Sequence, residues 1–377
     1  MTFKKIIAWL HLWLGLVSGI IVFIVAFTGC ILVFEHEIES MIQPWLHVER
    51  AGEAAFLPPS AIKHSVEKAL PGTKVNSIWY YGHSNTAQVS ANSDSVIYVD
   101  PYKGNIVALV DHEDFFHFVL DGHTELWMEK KLGKGIISYA TLIFFVLLVS
   151  GLVLWWPKKW SKANRDKSFK IKWEAKWKRV NYDLHNVLGF YSLLVAVLIS
   201  LTGLSMSFPW LRDGVYWLSS GGETPPVYKP AFSDTTVVRN LVALNQVDKA
   251  WKKGMDEIGV YKKDNIIISF PNKPADPIYL CTDMEAGVWR DVYLDQNTLK
   301  ILPESQAHIR NESSGFWLRR INYSLHVGAI GGLPTKFIYF IASLICATLP
   351  LTGAYIWWGR RKKEKKKKQP RLACIRE

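Results

Sequence analysis

Apolar residues along this chain gather into four long blocks, separated by stretches in which polar and apolar positions mix. The blocks are 9–34 (WLHLWLGLVSGIIVFIVAFTGCILVF), 136–156 (IISYATLIFFVLLVSGLVLWW), 185–210 (HNVLGFYSLLVAVLISLTGLSMSFPW) and 333–358 (LPTKFIYFIASLICATLPLTGAYIWW). Each meets the ~20 helical residues needed to cross a hydrocarbon core, so each predicts a membrane-spanning helix. The first block is too long for the core of a cleaved signal peptide and ends in Phe34-Glu35-His36-Glu37, so it is read as an uncleaved span. The loops between the blocks carry shorter patterns. In the first, a helix follows Pro58-Pro59, extended runs cover 75–81, 86–90 and 96–99, and the turn Asp100-Pro101-Tyr102-Lys103-Gly104 leads into a further strand. In the second, a helix is expected near 235–252 and strands at 266–270, 277–281 and 288–294. Each loop reads as a small α+β module.

The expected layout is therefore a first span (1–35), an exterior domain (36–115), a short helix with the second span (116–157), a basic loop (158–182), a third span (183–211), a second exterior domain (212–315), a short helix with the fourth span (316–358) and a basic tail (359–377). Charge orients it. Residues 158–180 carry ten Lys/Arg against two acids, and 359–377 carry another ten against two. With Lys4 and Lys5 these segments hold all of the basic excess of a chain whose net charge is +12, leaving the rest net acidic. Positive flanks resist translocation, so both termini and the 158–182 loop are expected in the cytoplasm and both large loops outside. The basic balance thus reads as topology rather than as nucleic-acid binding. Four cysteines without a CxxC pattern indicate neither zinc nor a disulfide framework.

Internal repetition changes the picture most. From His11, 17 residues lead to Thr28-Gly29, and from His185, 17 residues lead to Thr202-Gly203. Ser150-Gly151 with Trp155-Trp156 matches Thr352-Gly353 with Trp357-Trp358, each followed by a basic run. Phe116-His117 with Gly122 five residues on matches Leu325-His326 with Gly331 five residues on, at the cost of a seven-residue insertion before Gly151. The expected fold is a parallel tandem repeat, two spans plus two, with a pseudo-two-fold axis along the membrane normal and two exterior domains.

The ordered set His11-x3-Gly15, Thr28-Gly29, the Val99–Gly104 turn, Leu325-His326-x4-Gly331 and the Gly-x3-Trp-Trp span ends resembles the PepSY-associated transmembrane family, which includes iron-regulated inner-membrane proteins and ferrisiderophore reductases. The resemblance covers nearly the whole chain. It implies PepSY-like exterior domains, a bacterial inner-membrane location, heme b held by membrane histidines and, for some members, reduction of siderophore-bound iron. The second loop departs from the pattern: Leu294-Asp295-Gln296-Asn297-Thr298 stands where the Asp-Pro-x-x-Gly turn is expected.

Bis-histidine heme needs two imidazoles facing each other on helices. His11 and His185 are repeat mates near the cytoplasmic surface, each with a glycine one turn on (Gly15, Gly189) that leaves room for a flat macrocycle. His117 and His326 form the second expected pair, before the second and fourth spans. The 27 residues from His326 to Gly353 would make ~40 Å of helix, more than the ~30 Å core, which places this pair at the outer interface. His123 competes with His117 for that position. Two hemes in series would carry electrons outward to a ferric siderophore. Neither a GxGxxG fingerprint nor a P-loop is present, and no cytoplasmic segment is large enough for a flavin domain. The electron donor is then a quinol or a separate cytoplasmic reductase. Two other functions stay open: a non-enzymatic anchor whose exterior domains bind a partner, and an iron or siderophore transporter, against which the scarcity of buried charge in the spans speaks.

Overall fold

The computed structural model describes the chain except residues 1, 50–53, 93–94, 112–113, 228, 237–243, 259–264, 283–288 and 369–377. Part of the helix expected near 235–252, the start of the strand expected at 288–294 and the last part of the basic tail lie outside the described residues.

Among the described residues, four helices are long and apolar enough to cross a membrane: Phe3–Leu32, Lys130–Trp155, Trp177–Ser207 and Leu333–Arg361. They are called the first to fourth spans, and they belong to one structural unit. The first span packs against the second and the fourth, and the third packs against the same two, so the first and third lie on a diagonal. Small side chains let the helices approach. Gly19 of the first span faces the Pro350 ring, where an added Cβ would lie 3.4 Å from Pro350 Cβ. Leu148, Ala196 and Cys346 form a buried cluster within the bundle. Val17, Ile20, Leu194 and Ile341 are exposed on its outside, the surface that lipid would cover. The Lys4 ammonium donates to the Trp156 carbonyl at 2.5 Å, joining the start of the first span to the end of the second. This end of the bundle is called the terminal end below, and the opposite one the loop end. The third span is not uniformly α-helical. Leu184–Leu188 forms one π turn, a local widening that is frequent at functional sites.

The second unit holds a seven-stranded antiparallel sheet: β1 (Val75–Tyr80), β2 (Ala87–Ala91), β3 (Ser95–Val99), β4 (Ile106–Asp111), β5 (Ile266–Ser269), β6 (Ile278–Thr282) and β7 (Asp291–Leu294). Its order is β4-β3-β2-β1-β5-β6-β7. Strands from the two loops therefore share one continuous sheet, joined where β1 pairs with β5 through Ser77↔Ser269, Ile78↔Ile268, Trp79↔Ile267 and Tyr80↔Ile266. The physical reason is the edge: each set alone would leave a row of unpaired backbone groups on β1 or β5, and pairing them removes both rows. Helices Pro59–Ala69 and Leu244–Ile258 contribute Ile62, Val66, Val247, Ala250 and Trp251 to a core with Ile78, Val89, Ile268, Ile278 and Leu280 of the sheet. The two helices are tied by the Asp248 carboxylate, which accepts from the Ser60 amide at 2.9 Å and its hydroxyl at 2.5 Å.

The two turns after β3 and β7 are alike in spite of their different sequences. Asp100 Oδ1 accepts from the Tyr102 and Lys103 amides at 2.8 and 3.1 Å. Asp295 Oδ1 accepts from Asn297 and Thr298 at 3.0 and 2.7 Å. Gly104, at φ +75°, and Leu299, at φ +57°, occupy the left-handed position four residues after each Asp. The aspartate that organises the turn is common to both, and in the second loop a leucine takes the strained place of the glycine.

Candidate functional site

His11 lies on the first span and His185 on the π turn of the third, across the diagonal of the bundle near its terminal end. Their ring centroids are 6.4 Å apart with the planes at 90°. Each ring is held from a neighbouring helix. His11 Nδ1 lies 2.8 Å from Ser150 Oγ, and His185 Nδ1 lies 2.9 Å from Thr352 Oγ1. Both hydroxyls already spend their single proton inside their own helix: Ser150 donates to the Leu147 carbonyl at 3.1 Å, and Thr352 to the Thr348 and Leu349 carbonyls at 3.0 Å. The hydroxyl oxygens must then accept, so Nδ1 carries the imidazole proton and Nε2 keeps its lone pair. The residue after each hydroxyl is a glycine. A Cβ on Gly151 would stand 3.4 Å from His11 Cε1, and one on Gly353 3.3 Å from His185 Cε1.

The same arrangement recurs at the loop end. His123 and His326 have ring centroids 6.2 Å apart with the planes at 58°. His123 Nδ1 lies 3.1 Å from Thr28 Oγ1 and 3.0 Å from the Val25 carbonyl. His326 Nδ1 lies 3.0 Å from Thr202 Oγ1 and 3.1 Å from the Ile199 carbonyl. A carbonyl only accepts, so here too Nδ1 is the donor and Nε2 is free of hydrogen. Gly29 and Gly203 supply the space, with an added Cβ falling 3.2 and 3.1 Å from the respective Cε1 atoms. Burial pushes both imidazoles below their ordinary pKa, His326 to about 4 with the neighbouring His123 adding to the effect. Neutral imidazole is the form that ligates a metal.

His326 thus has a different neighbour from the one expected from spacing. Helix Phe115–Glu125 carries both His117 and His123. Six residues at 100° each turn the two side chains about 120° apart around its axis, so they cannot face one point. His117 belongs to the sheet-bearing unit, and its amide is capped by the Asp114 carboxylate at 2.8 Å. The signal for His123 is present in the sequence: His123 to Gly151 spans 28 residues and His326 to Gly353 spans 27, a one-residue slip in place of seven. The matching Phe-His and Leu-His dipeptides obscured it. Gly15 and Gly189 line the cavity beside His11 and His185, but an added Cβ there would make only ordinary contact, 3.8 Å from Leu147 and 3.6 Å from Leu349. The glycines that clear space for the imidazoles are instead the four beside the hydroxyls.

What the two pairs fit follows from spacing and donor count. A metal–imidazole bond is about 2.0–2.1 Å and the ring centre lies ~1.1 Å behind the nitrogen, so two imidazoles on opposite sides of one metal have centroids roughly 6.3 Å apart. Both pairs stand at that spacing. Among the described residues, no group of three or more His, Cys, Asp or Glu is placed to hold a metal ion. A bare zinc ion takes four ligands, whereas heme brings its own equatorial nitrogens and needs only axial donors. At the terminal end a cavity of about 390 Å³, lined by His11, His185, Trp155, Phe190 and other apolar side chains, adjoins the pair, a size within the range of small-molecule sites. Trp155 stacks on Phe190 there with centroids 3.8 Å apart.

The family model for the PepSY-associated TM region matches residues 8–360, a span that includes all four histidines of the two pairs. No curated protein matches the chain. With nearly its full length covered, the chain belongs to the family of PepSY-associated transmembrane proteins.

Proposed function

We propose that this protein is a transmembrane electron conduit of the bacterial inner membrane, which holds two b hemes and reduces ferric iron, carried by a siderophore, on the periplasmic side. The observation that carries this reading is the presence of two histidine pairs, each at the spacing of opposed axial ligands and each with Nδ1 occupied and Nε2 open. His11 and His185 would hold one heme, and His123 and His326 the other, with His123 rather than His117 as the mate of His326. When bound, heme supplies the one-electron chemistry that none of these side chains has.

The chain contributes ligation, orientation and two levels. His11 and Gly29 are separated by 18 residues of the first span, ~27 Å along a helix, so the two pairs stand near opposite ends of the bundle. The basic loop and tail favour a cytoplasmic terminal end, because positive flanks resist translocation, and a parallel two-plus-two repeat would start both halves on that one side. The donor is a quinol or a cytoplasmic reductase. Outward movement of an electron is favoured by a membrane potential that is negative inside, by about 2.3 kcal/mol per 100 mV. At the acceptor, hard oxygen donors hold Fe(III) better than Fe(II), so a one-electron reduction loosens the iron.

An absorption spectrum of the purified protein, with iron counted per chain, tests this directly. Sharp reduced-heme bands and two irons per chain are expected. A colourless preparation from cells with ample heme would end the reading and favour a partner-binding anchor instead.

A further inference from the structure

The four histidines are served by four copies of one two-residue step: Ser150-Gly151 for His11, Thr352-Gly353 for His185, Thr28-Gly29 for His123 and Thr202-Gly203 for His326. We propose that these steps are positioning elements that fix the tautomer and angle of each imidazole and, through the acceptor on Nδ1, lower the reduction potential of the metal that the imidazole holds. This rests on the reading above of a heme at each histidine pair.

A serine or threonine inside a helix commonly bonds back to the carbonyl three or four residues earlier and has no further role. All four hydroxyls here do so. That bond consumes the hydroxyl proton and turns the oxygen outward as an acceptor. In each case the oxygen meets the Nδ1 of a histidine on a different helix, 95 to 167 residues away in sequence. The following glycine is equally specific in place, since its missing Cβ is what admits the edge of the same ring, 3.1–3.4 Å from where that Cβ would stand. A hydroxyl alone would orient the proton, and a glycine alone would only leave space. Together they set one proton position and one ring position.

The steps are also exchanged within each half of the chain. The first span bears His11 and, at its other end, the step that receives His123. The second span bears the step that receives His11 and is preceded by the helix that carries His123. The third and fourth spans repeat this with His185 and His326. Each half therefore builds one ligand for each site, and each ligand is held by the partner span of its own half.

The chemical consequence is directional. An imidazole whose Nδ1–H donates to a good acceptor is more basic at Nε2, which favours the oxidised metal. Removing the hydroxyl should raise the potential of that site alone, and by less at the loop end, where the Val25 and Ile199 carbonyls stay beside Nδ1 of His123 and His326 as second acceptors. Thr→Val keeps the β-branched volume and removes the oxygen.

The test is a potentiometric titration of heme-loaded protein, followed at the reduced-heme bands with heme counted per chain. His11→Ala and His326→Ala assign the two potentials. Ser150→Ala and Thr352→Val are expected to keep both hemes and shift the terminal-end potential upward, more in the double variant than in either single one. Thr28→Val and Thr202→Val are expected to shift the loop-end potential upward, by less than the terminal-end variants shift theirs because the Val25 and Ile199 carbonyls remain, and to leave the other in place. Ser150→Thr and Thr352→Ser, which restore a hydroxyl, are expected to titrate as the native protein does. Heme-loaded variants with four unchanged potentials would overturn this inference and leave the heme reading standing. A native protein that takes up no heme would overturn both.

Discussion

At the scale of single residues, the site depends on atoms that are missing as much as on those present. Gly203 stands with its absent Cβ 3.1 Å from the His326 ring. Gly203→Val should drive that ring off its line and cost the loop-end heme while leaving the terminal-end one, which heme content per chain would show as a loss of half. Gly104 is governed by backbone conformation as well as space. At φ +75° it adopts a conformation costing an L-residue about 1–2 kcal/mol, and an added Cβ would meet Leu57 at 3.0 Å and Ser65 at 3.1 Å. Gly104→Ala should lower the melting temperature of the sheet-bearing unit without changing heme content. His11 and His185 were legible in the sequence because both the histidine and the Thr-Gly that follows it recur at the same spacing. The pairing of His123 with His326 was hidden because local dipeptide similarity around His117 outweighed a better long-range spacing. The hydroxyl–glycine steps were visible as repeat signatures, but their purpose was not, since only the packing of helices shows that a residue late in one span meets a histidine on another.

At the scale of elements, the spans could be read from composition alone, because crossing a hydrocarbon core requires a length and an apolarity that few other elements need. The π turn at Leu184–Leu188 could not, since nothing in Leu184-His185-Asn186-Val187-Leu188 departs from ordinary helix-forming residues. The single sheet was hidden for a related reason. Strand runs are local signals, whereas the pairing of β1 with β5 joins segments nearly 190 residues apart. Helix Glu35–Ile42 offers a pH test within the same unit. Burial raises the Glu39 carboxyl to about 7, with the charges of Glu35 and Asp114 adding to the rise and His36 opposing it. Tyr98 is raised in turn, chiefly by burial and then by Glu39 and Asp114. A carboxyl that binds its proton more tightly folded than unfolded contributes stability at low pH and loses it as pH climbs from the ordinary carboxylate value towards the folded one. The unit should therefore melt at a lower temperature at pH 8 than at pH 5. Glu39→Gln should narrow that difference, and an unchanged gap would mean that Glu39 does not carry it.

At the scale of the whole molecule, orientation and pairing bear on the same function from two directions. Reporter fusions test the first. A fusion after residue 377 should be active only as a cytoplasmic reporter, and one inserted after Gly221 only on the outer side; an outward C-terminus would reverse the direction of electron flow proposed above. Pairing is tested by crossing variants. If the diagonal partners share an iron, His11→Ala and His185→Ala should each lose the same heme, and the double variant should lose no more. His123→Ala and His326→Ala should do likewise at the loop end, while His117→Ala should keep both hemes. Combining His11→Ala with His326→Ala should remove both. The opposite assignment, His11 with His123, would ask one iron to bridge two levels ~27 Å apart along the first span, which ligand bonds of about 2 Å cannot do. If the two sites lie in series, any of the four ligand variants should abolish transmembrane ferric reduction even though each leaves one histidine in the affected pair and the other pair intact. Full reductase activity in His326→Ala would show that electrons leave the protein before the loop end, and the outward path would then have to be redrawn from the terminal-end site alone.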